Sequence, residues 1–338
     1  MMSGAAVSTR RGSLAIEETS RRAFLMRAGG TVLGGTVLAG TALSACGSSA
    51  APPESSEDGD TVADRRPKAV AATGAHQAGV STPVPPQPNL LMVIFDLDAA
   101  PGPLLARLGE TIIELVAGKD ARLAGVDPGD LTVTIGVGPR LVAMVDATLP
   151  GGTPLPRFGH EDVPEDRRGG DLMVQVCATD PLLLPLAVAA LADAGGDGMR
   201  ERWRQQAFRG SYVAVGDEGY APRNVVGFVD GIVVPRSPAA LDDSVWIQGT
   251  PVVTGGTVAV VRRMEIDLDR FLALPVTAQE DVIGRRRASS APLSGGTIAT
   301  VPDIDATAAD GSYLIPRHAH IRWANPTMSD VTTMLRRS

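Results

Sequence analysis

Leu90-Leu91-Met92-Val93-Ile94-Phe95-Asp96-Leu97 is a short, nearly unbroken apolar run. A run of this length predicts a buried strand. Just after it, Leu104, Leu105, Leu108, Ile112, Leu115 and Val116 recur at helical spacing, which predicts an amphipathic helix packed on that strand. Leu131 to Ile135 alternates β-branched residues, and Leu172 to Cys177 is a further strand candidate. Leu182 to Leu191 follows Asp180-Pro181 and reads as a buried helix, and Gln206 to Val215 reads as the closing strand. The order β-α-β-β-α-β is the ferredoxin-like unit, expected over residues 88–216.

The second half, 217–338, repeats the idea less completely. Ser244 to Gln248 and Thr257 to Val261 read as strands, and Thr277-Ala278-Gln279-Glu280 as a capping box opening a helix through Ile283. The chain then reaches Ser338 with no second helix and final strand, so this unit is expected to be incomplete. The fold class is α+β: two ferredoxin-like units, barrel-like, the second short at its end.

Upstream, Ser20-Arg21-Arg22-Ala23-Phe24-Leu25 is a twin-arginine export motif. Ala28 to Ala45 is uncharged but rich in Gly and Thr, which suits a signal h-region better than a spanning helix. Leu43-Ser44-Ala45-Cys46-Gly47 resembles a lipobox, making Cys46 the expected lipid-bearing residue; ordinary cleavage near Ala45 is the alternative. The expected location is the outer face of the cytoplasmic membrane or cell envelope, with secretion as the alternative. Residues 46–87 read as a flexible tether, with His76-Gln77-Ala78-Gly79-Val80 as the start of the fold. The other cysteine, Cys177, is expected as a buried strand thiol, so no disulfide framework exists.

Residues 1–45 hold five arginines and two glutamates, so without them the 31 basic and 38 acidic residues become 26 and 36, a net charge of −10. That balance argues against nucleic acid or anionic headgroups as partners. The membrane is then reached through the lipid anchor alone.

Three pieces carry candidate chemistry. Gly227-Phe228-Val229-Asp230-Gly231 places one carboxylate between glycines. Asp230 is either a turn residue capping its own backbone or a general acid/base over a pocket. His318 and His320 flank Ala319, and on a strand both would face one way. They are structural histidines, or one ligates a haem iron; zinc would need further ligands at matching spacing. Arg336 is a solvated terminal charge, or it stabilises charge opposite Asp230.

These stretches resemble the dye-decolourising (DyP-type) haem peroxidase family, particularly its exported branch, which includes deferrochelatase subunits of iron-uptake systems. The resemblance runs from His76 to Arg337. It is carried by His76 to Pro83, Gly169 to Ala178, Arg223 to Gly231, Gly255 to Arg263, Ile283 to Arg286, Ala319 to Pro326 and Leu335 to Arg337. It implies two ferredoxin-like halves with haem b between them. It implies Asp230 as distal acid, His320 as axial ligand of the haem iron, and Arg336 as distal arginine. Gly231, Ile232 and Val233, with Asn325, Pro326 and Thr327, fall where the family lines the haem. Hydrogen peroxide and a dye-like or phenolic electron donor are the implied substrates. Trp323 is either an electron-transfer candidate or a packing aromatic. Deferrochelatase activity, beside iron-uptake transporter subunits, and a non-catalytic haem-binding lipoprotein or inactive truncated member are the competing readings. The family's habit implies a homo-oligomer. The chain departs from the family pattern at Ile232, where a threonine is usual, and at Thr327, where an arginine is usual. Family members also usually run several dozen residues beyond the distal arginine.

Overall fold

The computed structural model describes residues 67–98, 101–159, 161–216 and 219–324. The export motif, Cys46, Asn325, Pro326, Thr327 and Arg336 lie outside them.

Strand β1 (Asn89–Leu97) sits inside a four-stranded antiparallel sheet with β2 (Thr132–Val137), β3 (Leu172–Ala178) and β4 (Met199–Phe208), in the order β2-β3-β1-β4. Val93 stands opposite Val174 on one side and Arg204 on the other. Helices α1 (Pro101–Val116) and α3 (Leu183–Gly195) cover one face. Leu91, Val93, Phe95, Val174 and Val176 pack there with Leu104, Leu108, Leu115, Leu184, Val188 and Leu191. Each fully buried leucine or valine contributes about 1.5–3 kcal/mol. The first half is therefore the predicted β-α-β-β-α-β unit. A shorter helix, α2 (Pro139–Asp146), follows β2.

The other face of the sheet is covered too, which is why β1 reads as continuous rather than alternating. Met92 and Ile94 are buried. The Gln77 side chain pairs with both main-chain groups of Ile135, at 3.0 and 2.9 Å. Thr134 Oγ1 donates to Ala78 O, and Gln175 Nε2 to Gly79 O. The packed chain thus begins before residue 88: the Gln77 side chain satisfies a sheet residue's backbone, and polar side chains of the sheet satisfy the carbonyls of Ala78 and Gly79. His76 continues this contact into the second half. It stacks on Trp246, centroids 3.6 Å apart, and its Nδ1 lies 2.7 Å from Gly255 O.

Several expected elements differ. The closing strand is Met199–Phe208, not Gln206–Val215; the latter stretch crosses a turn and enters β5 (Tyr212–Val215). Strand β4 is an edge carrying Arg200, Glu201, Arg202 and Arg204, and an edge needs no apolar alternation. Its register shifts beside Ile94 and Phe95, leaving Arg202 as a bulge. In the second half, β5 pairs with β6 (Gly219–Pro222) as a two-stranded hairpin. Ser244 to Gln248 is not a strand: Ser244 ends helix α4 (Pro238–Ser244), whose N-cap is Ser237. Thr257 to Val261 is not one either. It has no backbone partner among the described residues, so its β-branched residues form no ladder.

Helix α5 (Leu268–Leu272) precedes α6 (Val276–Ile283). The latter ends as predicted, but Thr277 is not its cap. Pro275 takes the N-cap position, and the Glu280 carboxylate is committed elsewhere. The Ala319–Pro326 run is not a strand where described: His320–Trp323 form a one-turn helix, α7, capped by Ala319. His318 and His320 therefore share no strand face. A second four-stranded sheet is not displayed among the described residues; the α+β class stands on the first.

Candidate active site

The Asp230 turn is a tight hairpin. Asn224 N donates to Phe228 O at 2.8 Å, Gly227 N to Asn224 O at 2.9 Å, and Asp230 N to Pro222 O at 2.9 Å. Arg223 bridges Val229. Phe228 turns inward and meets Phe271 edge-on at 6.4 Å, while Val229 packs with Val215 and Ala221. Gly227 has φ +86°, in the region that favours glycine. Asp230 is left exposed at the rim. Its Oδ1 accepts from Gly231 N at 2.8 Å, and Asn224 Nδ2 lies 3.5 Å from Oδ2. The turn-capping role is thus observed, and the carboxylate still faces outward, as an acid/base requires.

Two arginines hold this turn through carbonyl oxygens. Arg236 donates to Gly231 O at 2.8 Å, Ile232 O at 3.1 Å and Tyr220 O at 3.1 Å. Arg223 Nη1 donates to Gly227 O at 2.8 Å and Arg287 O at 3.0 Å. Sequence reasoning missed both: neither has a periodic signal, and only nearness to the motif could have marked them. Ile232 is half-buried against the small cluster of Val215, Ala221 and Val229, while Val233 is 89% exposed.

His320 opens α7 with an exposed imidazole. Its ring has no hydrogen-bond partner among the described residues. The helix is fixed by Arg322, which is buried, donates to Ile304 O and Ile315 O, and sits 4.6 Å over the Tyr313 ring. Trp323 is 62% exposed.

Residues Gly284–Ala288 join the two pieces. At one end Gly284, at φ +95°, lies against α7: a Cβ there would fall 2.6 Å from Ile321 Cγ1 and 3.2 Å from Ala319 Cβ. At the other, the Arg287 guanidinium presses on Gly227, where a Cβ would fall 2.7 Å from Nη2. Glu280 anchors the segment, accepting from Arg286 Nη1 at 2.8 Å and Arg287 N at 2.9 Å. Burial would raise the Glu280 carboxyl, but these two bonds hold it below the usual range. Arg285 is buried on Ser290 O at 2.7 Å, and burial lowers its pKa. Asp230 and His320 are thus mounted on opposite ends of one segment. Burial pushes the Cys177 thiol up to about 11, which makes it an inert strand residue, far from nucleophilic use.

Two surface concavities lie elsewhere. One of about 480 Å³ is lined by Pro103, Arg107 and Gly195–Gly198, and one of about 330 Å³ by Leu91, Leu184 and Arg204. Neither includes Asp230 or His320. Among the described residues no group of three or more His, Cys, Asp and Glu side chains is placed to hold a metal ion. A porphyrin carries its own equatorial nitrogens and needs no such group from the protein. The His320 imidazole, which makes no hydrogen bond among the described residues, fits one axial nitrogen to a haem iron.

Comparison with known proteins decides the family. The model for the C-terminal part of Dyp-type peroxidases matches residues 221–338, and that for the N-terminal part matches 77–209. A dye-decolorizing peroxidase of Thermobifida fusca is 33% identical across 94% of this chain and 80% of its own length. The chain belongs to the DyP-type peroxidase family. A deferrochelatase of Yersinia pseudotuberculosis is 30% identical over 78% of the chain and 67% of the relative. Among solved structures, the oxyferrous complex of DtpA from Streptomyces lividans superimposes with a TM-score of 0.71 at 32% identity, covering 79% of this chain and 77% of that one. A DyP-type peroxidase from Streptomyces coelicolor gives 0.70 at 32% identity, with the same coverage. DyP-type peroxidases are haem enzymes, so the chain is a member of a haem peroxidase family.

Proposed function

We propose that this DyP-type chain is a haem b peroxidase that uses hydrogen peroxide to oxidise dye-like or phenolic donors. The observation carrying this reading is the segment Gly284–Ala288, which meets the turn of the exposed Asp230 at one end and, at the other, the helix of His320, whose ring has no hydrogen-bond partner among the described residues. Bound haem supplies the iron at which peroxide is activated and the store of oxidising equivalents for the donor. His320 would hold the iron through a ring nitrogen. Asp230, as carboxylate, would take a proton from one peroxide oxygen and return it to the other. Arg336 favours the charge separation that this transfer creates. Gly231, Ile232 and Val233, with Asn325, Pro326 and Thr327, would line the cofactor, as the resemblance implies. Trp323 offers electrons a surface exit.

We further propose twin-arginine export and lipid attachment at Cys46, placing the enzyme on the outer face of the membrane, as a homo-oligomer. The deferrochelatase of Yersinia pseudotuberculosis favours a second reading, removal of iron from haem; iron-uptake transporter subunits are the partners we propose for it.

The full chain, reconstituted with haem, should show a Soret band and react rapidly with peroxide. His320→Ala should lose haem on gel filtration. Asp230→Ala should slow peroxide-dependent oxidation by about 10²–10⁴-fold. Release of intact metal-free porphyrin would select the deferrochelatase reading. Haem binding without either reaction would leave a non-catalytic haem lipoprotein, and no Soret band would end all three.

A further inference from the structure

We propose that Arg223 is the positioning residue that holds the Asp230 turn at a set distance from the His320 helix. It acts by clamping that turn to the Gly284–Ala288 segment. The inference rests on the reading of Asp230 as the acid/base group given above.

One guanidinium reaches both partners. Nη1 donates to Gly227 O, inside the turn, and to Arg287 O, inside the segment, while Nη2 lies 3.4 Å from Ala288 O. The fork of donors is rigid, so both contacts are set by one plane. Among the described residues Arg223 has no carboxylate partner, and its donors are spent on three carbonyls. From the segment side the turn is also met by the Arg287 guanidinium packed on Gly227, while Phe228 and Val229 anchor its far side. Gly227 has no side chain, its amide closes the turn on Asn224 O, and Val225 is exposed.

The segment is held independently of the turn. Glu280 fixes its Arg286 and Arg287 ends from helix α6, Gln279 Oε1 accepts from Arg287 Nη1 at 2.9 Å, and Ile321 closes on Gly284. Removing Arg223 therefore leaves the segment and α7 in place and removes the hydrogen bonds that tie the Asp230 turn to the segment. A shift of an ångström between an acid/base group and its substrate costs on the order of 10²-fold in rate. Arg236 does not replace the clamp: it binds Gly231, Ile232 and Tyr220, all on the turn's own side.

The test is a double-mutant cycle on the full haem-loaded chain with Arg223→Ala, Asp230→Asn and the pair, read as the rate of reaction with peroxide. Arg223→Ala should slow the reaction roughly 10- to 100-fold, with the Soret position and haem content retained. In the pair, Arg223→Ala should add nothing to Asp230→Asn, because the group it positions is gone. Additive losses, or an unchanged single Arg223→Ala rate, would overturn the proposal. An Asp230→Asn rate equal to that of the parent would instead overturn the acid/base reading, and the positioning role with it. Should Arg223→Ala not fold, Arg223→Lys, which lacks the fork, takes its place under the same criteria. Amide exchange in the haem-free chain is a second readout. The Gly227 and Asp230 amides should exchange about tenfold faster in the variant, while those of β1 and β3 hold. Unchanged exchange at both amides would also overturn the proposal.

Discussion

The two halves of this DyP-type chain solve the same problem with different forces. Residues 89–208 bury a dense aliphatic core between a sheet and two helices, and their arginines answer carboxylates: Arg140 meets Asp171, Arg168 meets Glu161, and Arg200 and Arg202 meet Asp96. Residues 219–324 contribute only Ala221 and Val229 to a small core cluster, completed by Val215 of β5 and a few half-buried neighbours. There Arg223, Arg236, Arg285 and Arg322 bind backbone carbonyls instead. Loops that a small core cannot fix are fixed one carbonyl at a time. Such bonds place a backbone accurately but contribute little to global stability, since each replaces a bond to water. Stability is therefore concentrated in the first half and site geometry in the second.

The largest expected effect tests the stability side. Leu191 on α3 is fully buried among β-strand side chains. Leu191→Ala should cost about 2–5 kcal/mol, read as a fall in the denaturant midpoint. Peroxide turnover per folded, haem-loaded molecule should stay at the parent value. A loss of turnover matching the loss of stability would show that the halves are not separable.

The intermediate effect reverses the pattern. Gly284 combines φ +95° with a Cβ position 2.6 Å from Ile321. Gly284→Ala should cost about 1–3 kcal/mol of local strain, relieved by moving α7 rather than the sheet. Haem retention should fall while amide protection in β1 and β3 persists. Retained haem affinity would place His320 on a mount independent of Gly284.

The same contrast explains what could be read from the sequence. Leu90 to Leu97 and the leucines of α1 announce themselves because burial against one face imposes a spacing. Strand β4 escapes because an edge tolerates Arg200, Glu201 and Arg202. The second half escapes more fully, since a guanidinium bonded to a carbonyl imposes no period on its neighbours. Thr257 to Val261 has the composition of a strand without a partner among the described residues, so composition misleads there. Asp230 is legible because glycines on both sides mark a turn that only a few residues can make. Arg223 and Arg236 are not, because their roles depend on where Arg287 O and Gly231 O come to lie. His320 is legible as a residue type but not as the start of a helix. The turn bonds of Ala319 N to Pro316 O and Arg322 N to Ala319 O decide that.

The smallest expected effect concerns one of the first half's ion pairs. Asp171 accepts from Arg140 Nε at 2.7 Å, Arg140 Nη2 at 2.6 Å and Leu97 N at 2.8 Å. The Arg140 bonds, working against burial and helped by the Leu97 amide, hold the Asp171 carboxyl below its ordinary value. A carboxyl whose pKa is depressed by folding stabilises the native chain above its unfolded pKa. That stabilisation is lost as pH falls through the folded value. Stability should therefore decline from about pH 4 downward, with Asp171 contributing to the slope. Asp171→Asn should flatten that part of the Tm-against-pH curve and cost about 1 kcal/mol near neutrality, because the exposed Arg140 is well screened. Peroxide turnover per haem should not move at any pH in this window beyond the parent's own profile. An acid slope equally steep in the variant would assign it to other carboxylates. Altered turnover would mean that the ion-paired half reaches the site after all.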